Sequence, residues 1–131
     1  MTNRYEFTVE SRKAYEELPT SLAIYQQLDG KIVPLLFSDG ICKSTGKTRE
    51  ELYNMSIREV YGDVHVADIY KLADDTFNCI KSSSSMNTNF RTRFNSEEDY
   101  KLINCKCYKK EMQKNFKLSF FEFNEIHRLL E

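Results

Sequence analysis

The clearest pattern of apolar and polar positions is a pair of apolar runs near the N-terminus, 22–28 and 32–37. They flank the dipeptide Asp29-Gly30, and a two-residue type I′ turn needs positive φ at both of its central positions. The stretch therefore predicts two antiparallel strands joined by a tight turn. Because Pro34 cannot donate a ladder hydrogen bond, we expect the second strand to lie at a sheet edge or to carry a bulge there.

Ahead of this hairpin, apolar residues recur at helical spacing from Phe7 to Leu18, and Pro19 ends the pattern. We assign residues 1–17 to an amphipathic N-terminal helix. The second strand is apolar on both faces, and an edge strand of that kind needs a cover. The helix, or a second copy of the chain, is the expected cover. The residues predicted for this cover and dimer face are Phe7, Tyr15, Val33, Leu35, Phe121 and Phe123.

Short helices and then one long helix are predicted after the hairpin. Thr48 with Glu51, and Ser56 with Glu59, have the spacing of capping boxes, in which each side chain binds the other residue's backbone N–H. Apolar residues at helical spacing then predict the longest helix over about 67–81. Its expected apolar stripe consists of Ile69, Leu72, Ala73, Thr76, Phe77 and Ile80.

The last third of the chain alternates with the period of strands. Residues 88–94 alternate cleanly between apolar or Thr and polar positions, and 101–109 and 116–123 predict two further strands. The last of them is apolar on both sides, which is typical of a central, covered strand. Asn124 is expected to cap a terminal helix over residues 125–131.

Composition limits the classes of function. The chain has 131 residues, a net charge of −1 and no apolar run close to the roughly 20 residues of a membrane span. We expect one cytoplasmic domain without membrane insertion and without affinity for nucleic acid. The four cysteines include no Cys-x-x-Cys pair, so they are interpreted as reduced core residues rather than metal ligands.

Several stretches, in this order, resemble the sequence pattern of PAS domains. They are Leu18–Tyr25, Asp29-Gly30-Lys-Ile32, Ser44-Thr-Gly46 followed by Arg49-Glu-Glu-Leu52, Val64-His65-Val-Ala-Asp68, and Phe90-Arg91-Thr-Arg93. The fourth stretch is similar to the His-Pro-x-Asp start of the long connector helix, with Val66 in place of Pro. The resemblance covers roughly 18–124. It implies an α+β fold, with a five-stranded antiparallel sheet and a helical connector over one face.

The resemblance also implies a place for a small ligand, between the long helix and the sheet. The residues expected to line it are Leu72, Thr76, Ile80, Phe90, Thr92, Cys105, Leu118 and Phe120. The alternative is that these side chains simply fill the core, since most apolar stripes are packing surfaces.

No cofactor is predicted. Asn78-Cys79 matches only two residues of the flavin-photoreactive motif, and it lies on the long helix instead of a short one. His65 lies near the helix that supplies the haem ligand in haem-bearing relatives, but haem-free members share the same position. We expect it to serve as a hydrogen-bonding group at the helix end.

Three functions are compatible with these patterns. The first is a bacterial PAS sensor or regulatory module that binds a ligand, forms a homodimer and passes a signal to a fused or partner output domain. That output would be of cyclic-dinucleotide or histidine-kinase type. The second is a dimerisation module with a filled core. The third is a small cone-shaped α+β enzyme with a polar cavity around His65. No nucleophile elbow or phosphate-binding glycine loop supports the enzyme, so none is predicted.

Overall fold

The structure is a computed structural model that describes residues 3–82, 85–113 and 116–126. In chain order the elements are α1 (Val9–Glu16), β1 (Ser21–Leu28), β2 (Lys31–Phe37), α2 (Asp39–Thr45), α3 (Arg49–Tyr53), α4 (Ile57–Val60), β3 (Asp63–Val64), a 3₁₀ turn (Val66–Asp68), α5 (Ile69–Lys81), β4 (Met86–Arg93), β5 (Lys101–Met112) and β6 (Phe116–Glu125). The strands form one antiparallel sheet in the order β2-β1-β6-β5-β4-β3. The predicted α+β class is confirmed.

The β1–β2 hairpin has the predicted geometry. Asp29 and Gly30 have φ values of 50° and 77°, the left-handed conformation that this turn requires. β2 is the edge strand, and its pairing with β1 shifts register between Ile24 and Tyr25, opposite Pro34. The bulge and the edge position together remove the need for a donor at the proline.

The connector helices begin at the predicted caps. Both capping boxes are formed, at Thr48 and at Ser56, and Gly46 ends α2 in the left-handed conformation. Gly40 in α2 lies against the start of β1, where an added Cβ would collide with the backbone of Pro19 and Thr20. This close approach holds α2 over the inner face of the sheet.

Apolar side chains cover both faces of the sheet. The inner face, under α2 to α5, carries a cluster that includes Tyr25, Phe37, Phe90 and Phe121. The outer face carries a second cluster built from β1, β2 and β6, and the N-terminal segment covers it. Its buried members are Tyr5, Leu22, Ile24, Leu35, Leu36, Leu118 and Phe120. The sheet is therefore the middle of three layers, and the expected N-terminal cover is present.

The structure departs from the expectations in four places. A sixth strand, β3, pairs two residues with β4. A segment of two residues is too short to show a strand pattern in the sequence. The N-terminal helix begins only at Val9, because the Thr8 side chain caps it. β5 runs on to Met112 through a stretch expected to be a connection. Asn124 lies within β6 and not at a helix cap; residues 127–131 of the expected terminal helix lie outside the described residues.

Candidate ligand-binding cleft

Helix α5 forms one wall of an open cleft. It packs on β4 and β5 and buries Leu72, Thr76, Cys79 and Ile80 against the sheet. Beside this buried face lies an exposed apolar stripe, in which Tyr70 is 87% and Phe77 58% exposed, and Ala73 is also exposed. Phe77 was expected on the buried side of the helix, but it is exposed and Cys79 is buried instead. The buried face of α5 is rotated from the predicted apolar stripe toward Cys79.

The opposite wall comes from the β1–β2 turn and from the segment between α4 and β3. The two walls enclose a cleft of about 820 Å³, within the usual size of small-molecule sites. Its lining residues are Gln27, Gly30, Ile32, Ile57, Arg58, Tyr61, Gly62, Asp63, Val64, Ile69, Tyr70, Leu72, Ala73, Thr76, Phe77, Ile80 and Lys81. We call this the α5 cleft. Most of its side chains are apolar.

Tyr61 and Thr76 are the buried polar groups of the cleft lining. Their hydroxyl oxygens are 2.7 Å apart, and the Thr76 hydroxyl also lies 3.9 Å from the sulfur of Met86. Burial raises the pKa of Tyr61 well above its ordinary value, so the phenol is neutral at physiological pH. The two hydroxyls satisfy each other and keep this part of the cleft without a charge.

A second cavity of about 500 Å³ lies on the other side of Tyr61. It opens between α2 and the ends of β4, β5 and β6, and Tyr61 is the residue common to both cavities. Hydroxyl groups line much of it, but most are already bound. Ser44 pairs with Ser21 at 2.6 Å, and Thr92 donates to the Tyr61 carbonyl at 2.6 Å.

The structure divides the eight expected ligand residues among four places. Leu72, Thr76 and Ile80 line the α5 cleft, while Phe90 and Thr92 line the second cavity. Cys105 is fully buried in the inner cluster and lines neither. The placement of the remaining two was wrong. Leu118 and Phe120 lie on the outer face of β6, on the far side of the sheet from α5.

Two residues of the expected cover and dimer face also lie on the opposite side of the sheet from the one predicted. Phe121 belongs to the inner cluster and Phe123 packs against it, so neither lies on the outer face. Both errors have one cause. β6 is apolar at 118, 120, 121 and 123, so its alternation does not tell which set faces the helices.

The other members of that face lie where expected. Phe7, Tyr15 and Leu35 pack in the outer cluster, and Val33 lies on the outer face opposite Gln26. Aromatic rings connect the N-terminal segment to β6, since Tyr15 lies 5.9 Å from Phe120 between ring centroids. The cover of this face is the chain's own N-terminal segment.

Sequence reasoning missed the wall of the cleft that lies opposite α5. Ile32, at the hairpin, and Arg58 and Tyr61, around α4, were not singled out, although they line it. Ile32 gave an indication of this wall, because it is an apolar residue two positions after the exposed Asp29-Gly30 turn. Which helix the turn would face is a matter of tertiary structure, and no local pattern reports it.

His65 and Asp68 hold the start of α5 on the sheet. His65 accepts a hydrogen bond from the Ala67 N–H at its Nδ1 atom (3.1 Å), so its expected role at the helix end is confirmed. Asp68 accepts from the Arg91 backbone N–H at 2.8 Å and from two guanidinium nitrogens at 2.9 Å each. The Arg91 guanidinium lowers the pKa of Asp68 to about 2. This carboxylate positions α5 against β4.

Three cysteines lie together in the inner core. Cys79 of α5 and Cys105 and Cys107 of β5 are all buried. Burial raises the pKa of Cys105 and of Cys107, so both remain protonated thiols.

Among residues 3–82, 85–113 and 116–126, no group of three potential ligands is placed to hold a metal ion. Within the same residues, no helix is long and apolar enough to cross a membrane.

Comparison with solved structures identifies the fold as that of PAS domains. A Rhodobacter sphaeroides LOV protein is similar over 89% of this chain and 65% of its own, at 10% identity and a TM-score of 0.72. The PAS domain of Bordetella pertussis BvgS is similar over 91% and 85%, at 12% identity and 0.66. A PAS domain from a two-component sensor histidine kinase is similar over 89% and 94%, at 18% identity and 0.56.

At these identities the likeness establishes the fold, which is the one expected from the sequence. The chain spans just under two thirds of the length of the LOV protein. No protein-family model and no curated protein matches the chain. The His-Pro-x-Asp subtype therefore stays a prediction.

Proposed function

We propose that this chain is a sensory or regulatory PAS module that binds a small organic ligand in the α5 cleft. The observation that carries the proposal is a PAS fold with an apolar cleft of about 820 Å³ beside its longest helix. Such concave, mainly apolar sites are the usual places for small ligands. The module would act in a bacterial signalling protein in the cytoplasm, with an output domain of histidine-kinase or cyclic-dinucleotide type. The similar PAS domain from a sensor histidine kinase supports this setting.

The hairpin offers a route from the cleft to the rest of the module. Its turn lines the cleft, and its strands hold the N-terminal segment. The Gln26 side chain accepts from the Tyr5 N–H at 2.8 Å and donates to the Asn3 carbonyl at 3.0 Å. Arg4 donates to the Pro34 carbonyl at 2.9 Å. A ligand that favours one hairpin position would therefore shift the N-terminal segment with it.

Ligand binding is tested with the neutral dye Nile red and the substitution Ala73→Trp. Ala73 is exposed and lines the cleft, so tryptophan there narrows the cleft without entering the core. The control is Ala14→Trp, at an exposed position of α1 that lines neither cavity. We expect saturable binding to the unmodified chain and to the control, and its loss in Ala73→Trp. Absence of binding, or equal binding by both variants, would contradict the proposal.

The proposal includes a homodimer. Light scattering during size-exclusion chromatography at several concentrations tests it, and a strict monomer throughout would count against it. A filled-core dimerisation module gains no support, because two cavities open beside Tyr61. The module is proposed to have no catalytic activity. In support, the two carboxylates nearest to His65 in sequence, Asp63 and Asp68, are already bound by Arg93 and Arg91.

The module is further proposed to hold no tightly bound haem or flavin. Cys79 lines neither cavity and is buried against the sheet, where it cannot reach a flavin in the cleft. The Nδ1 atom of His65 accepts from the Ala67 N–H, which leaves the proton of the neutral imidazole on Nε2, the other nitrogen that could ligate an iron. The absorption spectrum of the purified protein tests this. A visible band that remains after dialysis would contradict it.

A further inference from the structure

Within the described residues, the buried side chains of the α5 cleft offer no free hydrogen-bond donor. Leu72 and Ile80 contribute only hydrocarbon there. Tyr61 and Thr76 pair with each other at 2.7 Å, and Met86 sulfur accepts from the same threonine. A hydrogen-bond acceptor such as a carboxylate, buried against this surface, would lose its water without gaining a donor, which is costly. The inner portion of an occupant must therefore be apolar.

The rim of the cleft has unpaired positive charge. Arg58 and Lys81 are exposed cations that line the cleft, and within the described part of the chain neither has a carboxylate within ion-pair distance. Lys81 instead lies over the ring of Phe77, 5.1 Å from its centroid. The acidic residue of the lining, Asp63, is bound by Arg93 at 2.7 Å. The rim therefore attracts an anion.

Resting on the proposed ligand-binding function, we propose that the α5 cleft takes an amphipathic organic anion with a flexible hydrocarbon body and a terminal carboxylate. The hydrocarbon lies on Leu72 and Ile80, between Phe77 of α5 and Ile32 of the hairpin. The carboxylate lies at the rim beside Arg58 and Lys81, where a charge-assisted hydrogen bond forms at little cost in desolvation. Neutral or cationic molecules of the same shape bind through the hydrocarbon alone.

Three probes with one chain length separate the charge from the hydrocarbon. They are decanoate, decanol and decyltrimethylammonium, each titrated calorimetrically into the unmodified protein below its micelle concentration. We expect decanoate to bind at one saturable site and its affinity to fall as salt is raised, because the rim cations are exposed to solvent. Ala73→Trp is expected to abolish that site.

The rim is tested by the double substitution Arg58→Gln with Lys81→Gln. We expect it to weaken decanoate about fivefold or more, the size typical of exposed charge pairs, and to leave decanol within about twofold. The matched control is Lys43→Gln with Lys101→Gln, which removes the two lysines of the second cavity. This control is expected to leave decanoate affinity unchanged.

Each contrary outcome is distinct. Equal losses for decanoate and decanol, no loss for either, or binding of decyltrimethylammonium as tight as that of decanoate would overturn the anion assignment and leave the ligand-binding function standing. A loss confined to the lysine control would place the anion in the second cavity and overturn the assignment as well. If no probe binds while Nile red does, the ligand class is wrong and the function stands. If Nile red also fails to bind, both are wrong.

Discussion

The Asp68 carboxylate forms an ion pair with Arg91 that fixes the start of α5 on β4. Three hydrogen bonds from Arg91 reach its two carboxylate oxygens, one of them from the backbone of β4. The substitution Asp68→Asn keeps an acceptor for the backbone N–H and removes the negative charge. We expect it to destabilise the protein and to loosen the start of α5, which forms a wall of the cleft.

The size of the effect follows from the pKa of Asp68, which falls from 3.8 to about 2 in the folded protein. A tenfold change in proton affinity corresponds to about 1.4 kcal/mol, which caps the stabilisation near 2.5 kcal/mol. The Arg91 side chain is 42% exposed, and screening by solvent reduces the expected loss to about 1 kcal/mol. For a domain of this length that lowers the melting temperature by about 4 °C.

The effect has a definite pH dependence. The folded protein binds this proton more weakly than the unfolded chain, so the carboxylate stabilises the fold at neutral pH and its contribution is lost as pH falls. The difference between Asp68→Asn and the unmodified protein should be constant above about pH 5 and should shrink between about pH 4 and pH 2. Urea unfolding across this range measures it.

The matched control is Asp63→Asn. Asp63 also pairs with an arginine of β4, Arg93, but its side chain is 58% exposed and makes one hydrogen bond. We expect a smaller loss of stability from this substitution. Equal losses for the two variants, or a loss for Asp68→Asn that does not diminish at low pH, would refute the argument that the Arg91 contacts set the pKa and the stability.

Three further substitutions test the packing. Tyr25 is 2% exposed and its hydroxyl has no hydrogen-bond partner among the described residues, so Tyr25→Phe should leave the free energy of unfolding unchanged or raise it. Tyr61→Phe, which breaks a bond to Thr76, should lower it by about 1 kcal/mol, and the reverse order would contradict this account. Gly40→Ala should destabilise strongly, by about 2 kcal/mol or more, because its Cβ would collide with the backbone of Thr20; a melting temperature within about 2 °C of the unmodified protein would refute the close approach.

Much of the architecture could be predicted from local sequence patterns. The Asp29-Gly30 turn, the two capping boxes and the edge position of Pro34 each depend on the chemistry of one to four neighbouring residues. The need for a cover over β2 followed from its two apolar faces. These features hold wherever the segment lies in the fold, and for that reason the sequence alone predicts them.

Two other features depended on the assembled layers. Residues 118–123 are apolar on both faces of β6. The period of two divides these residues between two faces but does not show which face meets the helices. The face of Leu118 and Phe120 became the outer one because the N-terminal segment packs there. Likewise, the cleft exists because α5 lies on β4 and β5 and leaves the hairpin turn uncovered.

The sequence by itself thus determined most of the elements, both capping boxes and the hairpin turn, and the resemblance that led to the PAS topology. The tertiary structure decided which apolar face meets which layer, and with it the site. Three expected ligand residues line the α5 cleft. Arg58 and Ile32 also line it, but no local sequence pattern predicts that their segments lie beside α5. The physical reason is that local patterns fix periodicity and conformation, whereas a cleft is the gap left between elements distant in sequence.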